Sequence, residues 1–462
     1  MGIWVVGNHP IHIEGCDFAS VDDGIVADVS GSVIVSVSDS RFSKCSQAIQ
    51  LRGEGIFTVS HCVIQGSHDG IRMENGSGNS QSLVIESTVF SKNGPAIYAD
   101  HSNEGIIVIK DSSFLENFGG IETFSDLVVI DSIFTGNHDA LVAFAGLEIS
   151  GSRFSRNKGN HVVRFGDSGV AEIRESNFTN NDVNDPHIFS TLPLTIVDSL
   201  IAADQEAIEA EAVWIENSTV RSEDTVAIRV NSQQNDEVEN RIKSSLVSGD
   251  PAIEANNVED MEILSSRIRG HVSMGSGAVV RDSFFPDQQG QLQLEDRAIV
   301  EDSFGLRTDL QAGPDSSISR NSFESYDIQD LSRVIGNRSE YDLSVGPYSE
   351  IIGNRVQNGW MNVEFGSSVR ENHVLRFDAR GGDVLAEHNF VYDGEAIFSG
   401  GRNTIRWNTF DFLSLSVPGN LVISNSASGI DGETPSPLFG PIVEDEPGEA
   451  DADHPHANFI LD

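Results

Sequence analysis

Ile109-Lys110-Asp111-Ser112-Ser113-Phe114 returns in kind as Ile149-Ser150-Gly151-Ser152-Arg153-Phe154 and as Ile405-Arg406-Trp407-Asn408-Thr409-Phe410. Each phrase is an aliphatic anchor, a polar pair, a small residue, one spacer and then Phe or another apolar residue. Outward from these three, the phrase recurs on Ile13, Val37, Val59, Ile85, Ile109, Val129, Ile149, Ile173, Ile196, Ile215, Ile242, Ile263, Val280, Ile299, Ile318, Val334, Ile351, Val369, Leu385, Ile405 and Val422. The anchors stand 16 to 27 residues apart. A fixed phrase at a variable period of this size is the signature of a solenoid whose insertions lie in its loops.

Before each anchor the chain alternates with period two, as in Val35-Ser36-Val37 and Ile107-Val108-Ile109. Half-buried strands read this way. A second apolar signal follows the Phe position, as Ala48-Ile49, Gly70-Ile71, Ala96-Ile97, Gly120-Ile121 and Ala140-Leu141. Each coil therefore holds at least two short strands joined by polar bends, and no stretch has a helical period. Stacked strands rise about 4.8 Å per coil, so some 21 coils predict a rod roughly 100 Å long. Three residues past the anchor the chain places Cys16, Ser40, Cys62, Thr88, Ser112 and Ser132, and later Asn321, Asn337, Asn354, Asn372, Asn408 and Asn425. Small or amide side chains at a stacked bend predict an inward hydrogen-bonded ladder. Cys16 and Cys62 are two coils apart, too far for a bridge, and Cys45 lies in another bend, so three free thiols are expected.

Phrases such as Ile351-Ile352-Gly353-Asn354-Arg355-Val356 and Asn403-Thr404-Ile405-Arg406-Trp407-Asn408-Thr409-Phe410 resemble the right-handed parallel β-helix repeat proteins of the pectin-lyase-like superfamily. The resemblance covers about residues 3 to 427. It implies an all-β fold, a single right-handed parallel β-helix solenoid of about 21 coils with a flexible acidic C-terminal tail. The superfamily holds pectate and alginate lyases, polygalacturonases, pectin esterases, tailspikes and non-catalytic adhesins, so the fold alone assigns no activity.

The chain has 462 residues and a net charge of −42, and only five of its 29 basic residues are Lys. Acid-rich, Lys-poor surfaces stay hydrated in molar salt and repel themselves without it, so the composition is haloarchaeal-like and predicts salt adaptation. A nucleic-acid partner is disfavoured, since no basic patch is present to neutralise phosphates. No apolar run reaches 18 residues, so no membrane span is expected. Residues Gly2 to Gly7 already read as solenoid, with no leader and no capping helix before them. The expectation is a longer chain that supplies the cap, or a second chain, such as another copy, stacked on that end. An extracellular or cell-surface location goes with this fold.

Residues 1–430 read as the β-helix, with decorated coils to about 285 and shorter coils after, and 431–462 as a Pro-rich acidic tail. Insertions at Glu74–Ser82, Asp100–Gly105 and Asn231–Arg241 would wall a groove. Pro435, Pro437, Pro441 and Pro447 break strand pattern, and six acids lie between 444 and 453. His454-Pro455-His456 reads as a solvated tail. Of the glycosylation triplets, only that at Asn337 falls free of the Phe position.

The bend between the Phe position and the second apolar signal is where chemistry gathers. It holds three of the five Lys, among them Lys92 and Lys158, and two His-Asp pairs, His68-Asp69 and His138-Asp139. Uronate lyases need a cation to neutralise the substrate carboxylate and a base to remove the neighbouring proton. Glycosidases need paired carboxylates instead. The bend predicts His138, Lys158, Asp139 and Lys92 as catalytic residues, and His68, Asp69, Asn117, Arg156 and Asn157 as substrate-binding. Asp69, Asp139 and Asp182 are the carboxylates that would hold calcium, the one cofactor suggested. The bland alternative is that Asn, Asp and His simply suit tight bends. The function expected is binding, extending to cleavage by a lyase or glycoside hydrolase, of an acidic polysaccharide. A structural fibre, tailspike or adhesin is the alternative.

Overall fold

The computed structural model describes residues 2–74, 81–100, 105–166, 168–231, 239–286, 290–417, 419–432, 442–443 and 458–460. Every regular element among them is a β-strand. One coil shows the plan: strands Ile106–Lys110, Ser113–Leu115 and Gly119–Thr123, joined by tight bends. The next coil repeats it as Asp126–Ile130, Ile133–Thr135 and Leu141–Ala143. Equivalent strands pair in parallel, with Ile109 opposite Val129, Phe114 opposite Phe134 and Ile121 opposite Leu141. The anchor, the Phe position and the second apolar signal thus each own a strand. The coils wind right-handed, the sense in which a parallel crossover packs back onto its sheet. Residues Ile3–Gly7 are already a solenoid strand, pairing with 25–29 of the following coil.

The phrase works because each of its positions meets its own copy one coil away. Phe90, Phe114, Phe134, Phe154 and Phe178 are fully buried and stacked face to face, with ring centroids 4.8, 4.5, 4.7 and 4.4 Å apart. The small position forms the expected ladder. The Ser112 amide donates to Ser132 Oγ at 3.2 Å, and the Ser132 amide to Ser152 Oγ at 3.1 Å. Farther on, Asn321 Nδ2 donates to Asn337 Oδ1 (3.1 Å) and Asn337 Nδ2 to Asn354 Oδ1 (3.0 Å). Asn337 is therefore buried in the ladder, and its amide nitrogen is committed, which removes it as a glycosylation acceptor. Two residues past the anchor the chain turns through left-handed backbone, as at Asp111 (φ 48°) and Asp131 (φ 49°).

Two anchors are displaced by one residue. Val300, not Ile299, pairs with Val280 and Ile318, and Ala386, not Leu385, pairs with Val369 and Ile405. A slip of one exchanges inward for outward along a strand. Ser303 and Asn389 accordingly fill the ladder in those coils.

By internal packing the chain forms two compact units, Met1–Glu254 and Ala255–Asp462. The first contains the coils from Ile13 to Ile242 and the second those from Ile263 to Val422. Cys16, Cys45 and Cys62 are unpaired. Most of each long insertion, and most of the acidic tail with His454-Pro455-His456, lies outside the described residues.

Candidate functional site

The bend after the Phe strand carries a second ladder, which decides which of its residues face out. Asn93, Asn117, Asn137, Asn157 and Asn181 are all buried. Each amide passes its Nδ2 hydrogen to the next Oδ1, at 3.0, 2.8, 3.1 and 3.0 Å. Each also donates to a backbone carbonyl, as Asn117 does to Phe90 O (3.2 Å) and Asn157 to Phe134 O (3.0 Å). Asn117 and Asn157, expected to bind substrate, therefore face the interior with their hydrogen bonds used. The rule that polar bend residues suit tight turns also covers amides that turn inward.

The residue after each rung forms an outward column. Backbone bonds from His68, Gly94, Phe118, His138, Lys158 and Asp182 to the preceding coil place them at one coil position. Phe118 is 78% exposed, and its ring lies over His138 at 5.6 Å. The next residue adds the carboxylates. His138 Nδ1 is 2.9 Å from Asp139 Oδ2, and His68 Nδ1 is 3.0 Å from Asp69 Oδ1. A carboxylate on Nδ1 fixes that nitrogen as the donor and leaves Nε2 as the acceptor of a neutral ring. Asp139 Oδ1 also accepts from the Asn160 amide at 2.7 Å. Asp69 is 3% exposed, and its other oxygen takes an Arg72 hydrogen bond at 3.2 Å.

The third strand of each coil presents a second outward column. Its register sets Arg72, Tyr98, Glu122 and Val142 one above another, and then Arg164 and Phe189. Between the two columns lies a concavity of about 510 Å³, lined by His68, Asp69, Arg72, Tyr98, Phe118, Glu122, His138, Asp139 and Val142. Gly119 and Gly120 belong to its wall; a Cβ on Gly120 would stand 2.0 Å from the Ala140 carbonyl oxygen. Arg72 lies over the Tyr98 ring at 5.1 Å. Burial, and then the charges of Asp100 and Asp139, push the Glu122 carboxyl above its usual range. Burial and the charges of Asp100 and Glu122 likewise raise the Tyr98 hydroxyl. Glu122 thus holds a proton more readily than an ordinary carboxyl and can donate it in a hydrogen bond.

The structure brings His68, Asp69, His138 and Asp139 together in this concavity. Lys158 and Asp182 continue the outward column but do not line it. Lys92 and Arg156 occupy a different corner in left-handed backbone (φ 54° and 57°), and Lys92 pairs with Glu116 at 3.5 Å. The three aspartates do not converge. Asp69 stands three coils from Asp139, and Asp139 two coils from Asp182, about 14 and 10 Å at the normal spacing. One calcium ion needs its oxygens within about 2.6 Å. The residues proposed for calcium therefore do not fit it, and no group of three potential ligands gathers among the described residues. Arg72, Tyr98, Phe118 and Glu122 were not singled out from the sequence. Three of them follow the second apolar signal directly, as Ile71-Arg72, Ile97-Tyr98 and Ile121-Glu122, which is the outward position of the third strand.

The family described as "Right handed beta helix region" matches residues 1–126 and 48–201. No curated protein matches the chain. Among solved structures, a mutant of the PL6 family alginate lyase AlyGC is similar over 98% of this chain and 97% of that one, at 10% identity and TM-score 0.21. The same lyase in a second structure covers 95% and 96%, at 9% identity and TM-score 0.20. The A-module of the mannuronan C-5 epimerase AlgE6 of Azotobacter vinelandii covers 88% and 92%, at 11% identity and TM-score 0.12. Likeness at this level says nothing of activity. No described helix is long and apolar enough to cross a membrane. On its repeat, its parallel three-strand coils and the family match over its first part, the chain is a right-handed parallel β-helix protein.

Proposed function

We propose that this protein binds an acidic polysaccharide along the outward face of its first unit, with His138 as the base for cleavage by elimination. The observation that carries the reading is the exposed Phe118 ring stacked on His138 at the rim of a concavity that also holds Tyr98, Arg72 and Glu122. Aromatic faces take sugar rings, and the coil rise of about 4.8 Å suits a chain laid along the stack. Asp69 and Asp139 make the wall acidic, so a uronate carboxylate enters beside the Arg72 guanidinium and the Glu122 carboxyl, which holds its proton more readily than usual. Asp139 holds the His138 tautomer that leaves Nε2 free to accept a proton. A cell-surface or external location and a salt-rich medium belong to the same proposal.

The test is binding and cleavage in concentrated KCl with polygalacturonate, alginate and a neutral glucan. Phe118→Ala should weaken binding about tenfold without changing the melting temperature. New ultraviolet absorbance from unsaturated ends, lost in His138→Ala, would establish elimination. Binding without absorbance would withdraw the catalytic part. Failure of every glycan to bind would return the chain to the fibre or adhesin reading.

A further inference from the structure

The second unit carries a feature at odds with a chain of net charge −42. Strand register sets Arg338, Arg355, His373 and Phe390 one above another on successive coils, all four exposed. Arg elsewhere in this protein commonly lies against a carboxylate, as Arg320 does against Asp302 and Arg333 against Glu350. Arg338 and Arg355 have no carboxylate partner among the described residues; Arg338 donates instead to Gln357 Oε1 at 3.2 Å. Two cations at neighbouring rungs repel each other. Burial, and then the Arg355 charge, hold His373 below the ordinary imidazole range, which disfavours its charged form. Tyr392 and Phe390 meet the His373 ring edge-on at 4.7 and 5.0 Å, and the Tyr392 hydroxyl is tied to Gln357 O at 3.2 Å. The result is a pair of guanidinium groups on neighbouring coils, continued by an imidazole that ends on an aromatic pair.

We infer that the Arg338–Arg355–His373 strip binds the acid groups of an anionic polysaccharide, carboxylate or sulfate ester, with Phe390 and Tyr392 against a sugar ring. Guanidinium groups receive such anions through paired N–H donors, which still act in salt that screens long-range attraction. The two Arg stand one coil apart, about 4.8 Å, a spacing comparable to the rise of one sugar. A nucleic acid is the poorer fit, because two guanidinium groups neutralise few phosphates and the remaining surface repels them. This site lies within the second unit and does not rest on the reading of the first.

The test titrates the full chain in concentrated KCl with polygalacturonate, dextran sulfate, neutral dextran and single-stranded DNA. The wild type should bind the two anionic glycans and prefer them to dextran. The double variant Arg338→Gln/Arg355→Gln should lose about tenfold or more of that preference at an unchanged melting temperature. Arg333→Gln, which removes an Arg already paired with Glu350, should keep it. The inference is overturned if the double variant keeps the preference, if neither anionic glycan binds the wild type, or if DNA binds more tightly than both.

Discussion

A single bend shows how much depends on one side chain's direction. In Asn117-Phe118-Gly119 the Asn turns inward to its ladder, the Phe turns out to His138, and the Gly leaves the wall bare. The groove's most distinctive ionisable group is Glu122, whose carboxyl is pushed up by burial and by neighbouring negative charge. The folded protein therefore binds this proton more readily than the unfolded chain does. The stability gained is complete below the unfolded value and is lost as pH rises through the higher folded one. Glu122→Gln cannot ionise, so it should melt above the wild type at neutral pH, and the gap should close near about pH 4. Thermal melts across that range decide the matter; a gap of constant size would mean that Glu122 ionises like an ordinary carboxyl.

At the scale of the element, the ladders and the Phe stack are the fold's internal supports. Asn137 accepts from the Asn117 amide nitrogens and donates to Phe114 O and Asn157 Oδ1. Asn137→Ala leaves these groups unmatched in a dry interior, which should cost about 2–3 kcal/mol or more in denaturant melts. Phe134→Ala should cost about 3–5 kcal/mol, while the exposed Phe118→Ala stays within about 0.5 kcal/mol. Equal losses at Phe134 and Phe118 would contradict the burial described. Two of the three strands in each coil were legible, from the anchor and from the second apolar signal, while the three-residue strand at the Phe position was read only as part of the phrase. The phase was lost only where two aliphatics adjoin, at Ile299-Val300, or where an Ala took the inward place, at Ala386. The site was harder to read for a physical reason. Asn, Asp, His and Lys all suit a left-handed bend, and only the coil above shows which of two adjacent residues turns inward. Asn117 was thus taken for Phe118. Tyr98 and Glu122 were passed over because their strand announces itself by its inward residues.

For the molecule as a whole, 71 acidic residues against 29 basic ones outweigh any single contact. Dialysis into dilute buffer should melt both units and raising KCl should restore them, followed by the β-sheet circular dichroism signal. Full structure in dilute buffer would show that the acidity is not a salt requirement. Within the first unit, Ile109 and Val129 head coils of equal length, with rungs 20 residues apart. Excising 113–132 would join Ser112 to Ile133 and rebuild the phrase as Ile109-Lys110-Asp111-Ser112-Ile133-Phe134. The size of this protein is thus a whole number that in-frame deletion or tandem duplication can change by one. Such an edit would spare the scaffold yet take Phe118 and Glu122 with it, so a gene of this kind can discard or copy this concavity without inventing a new fold.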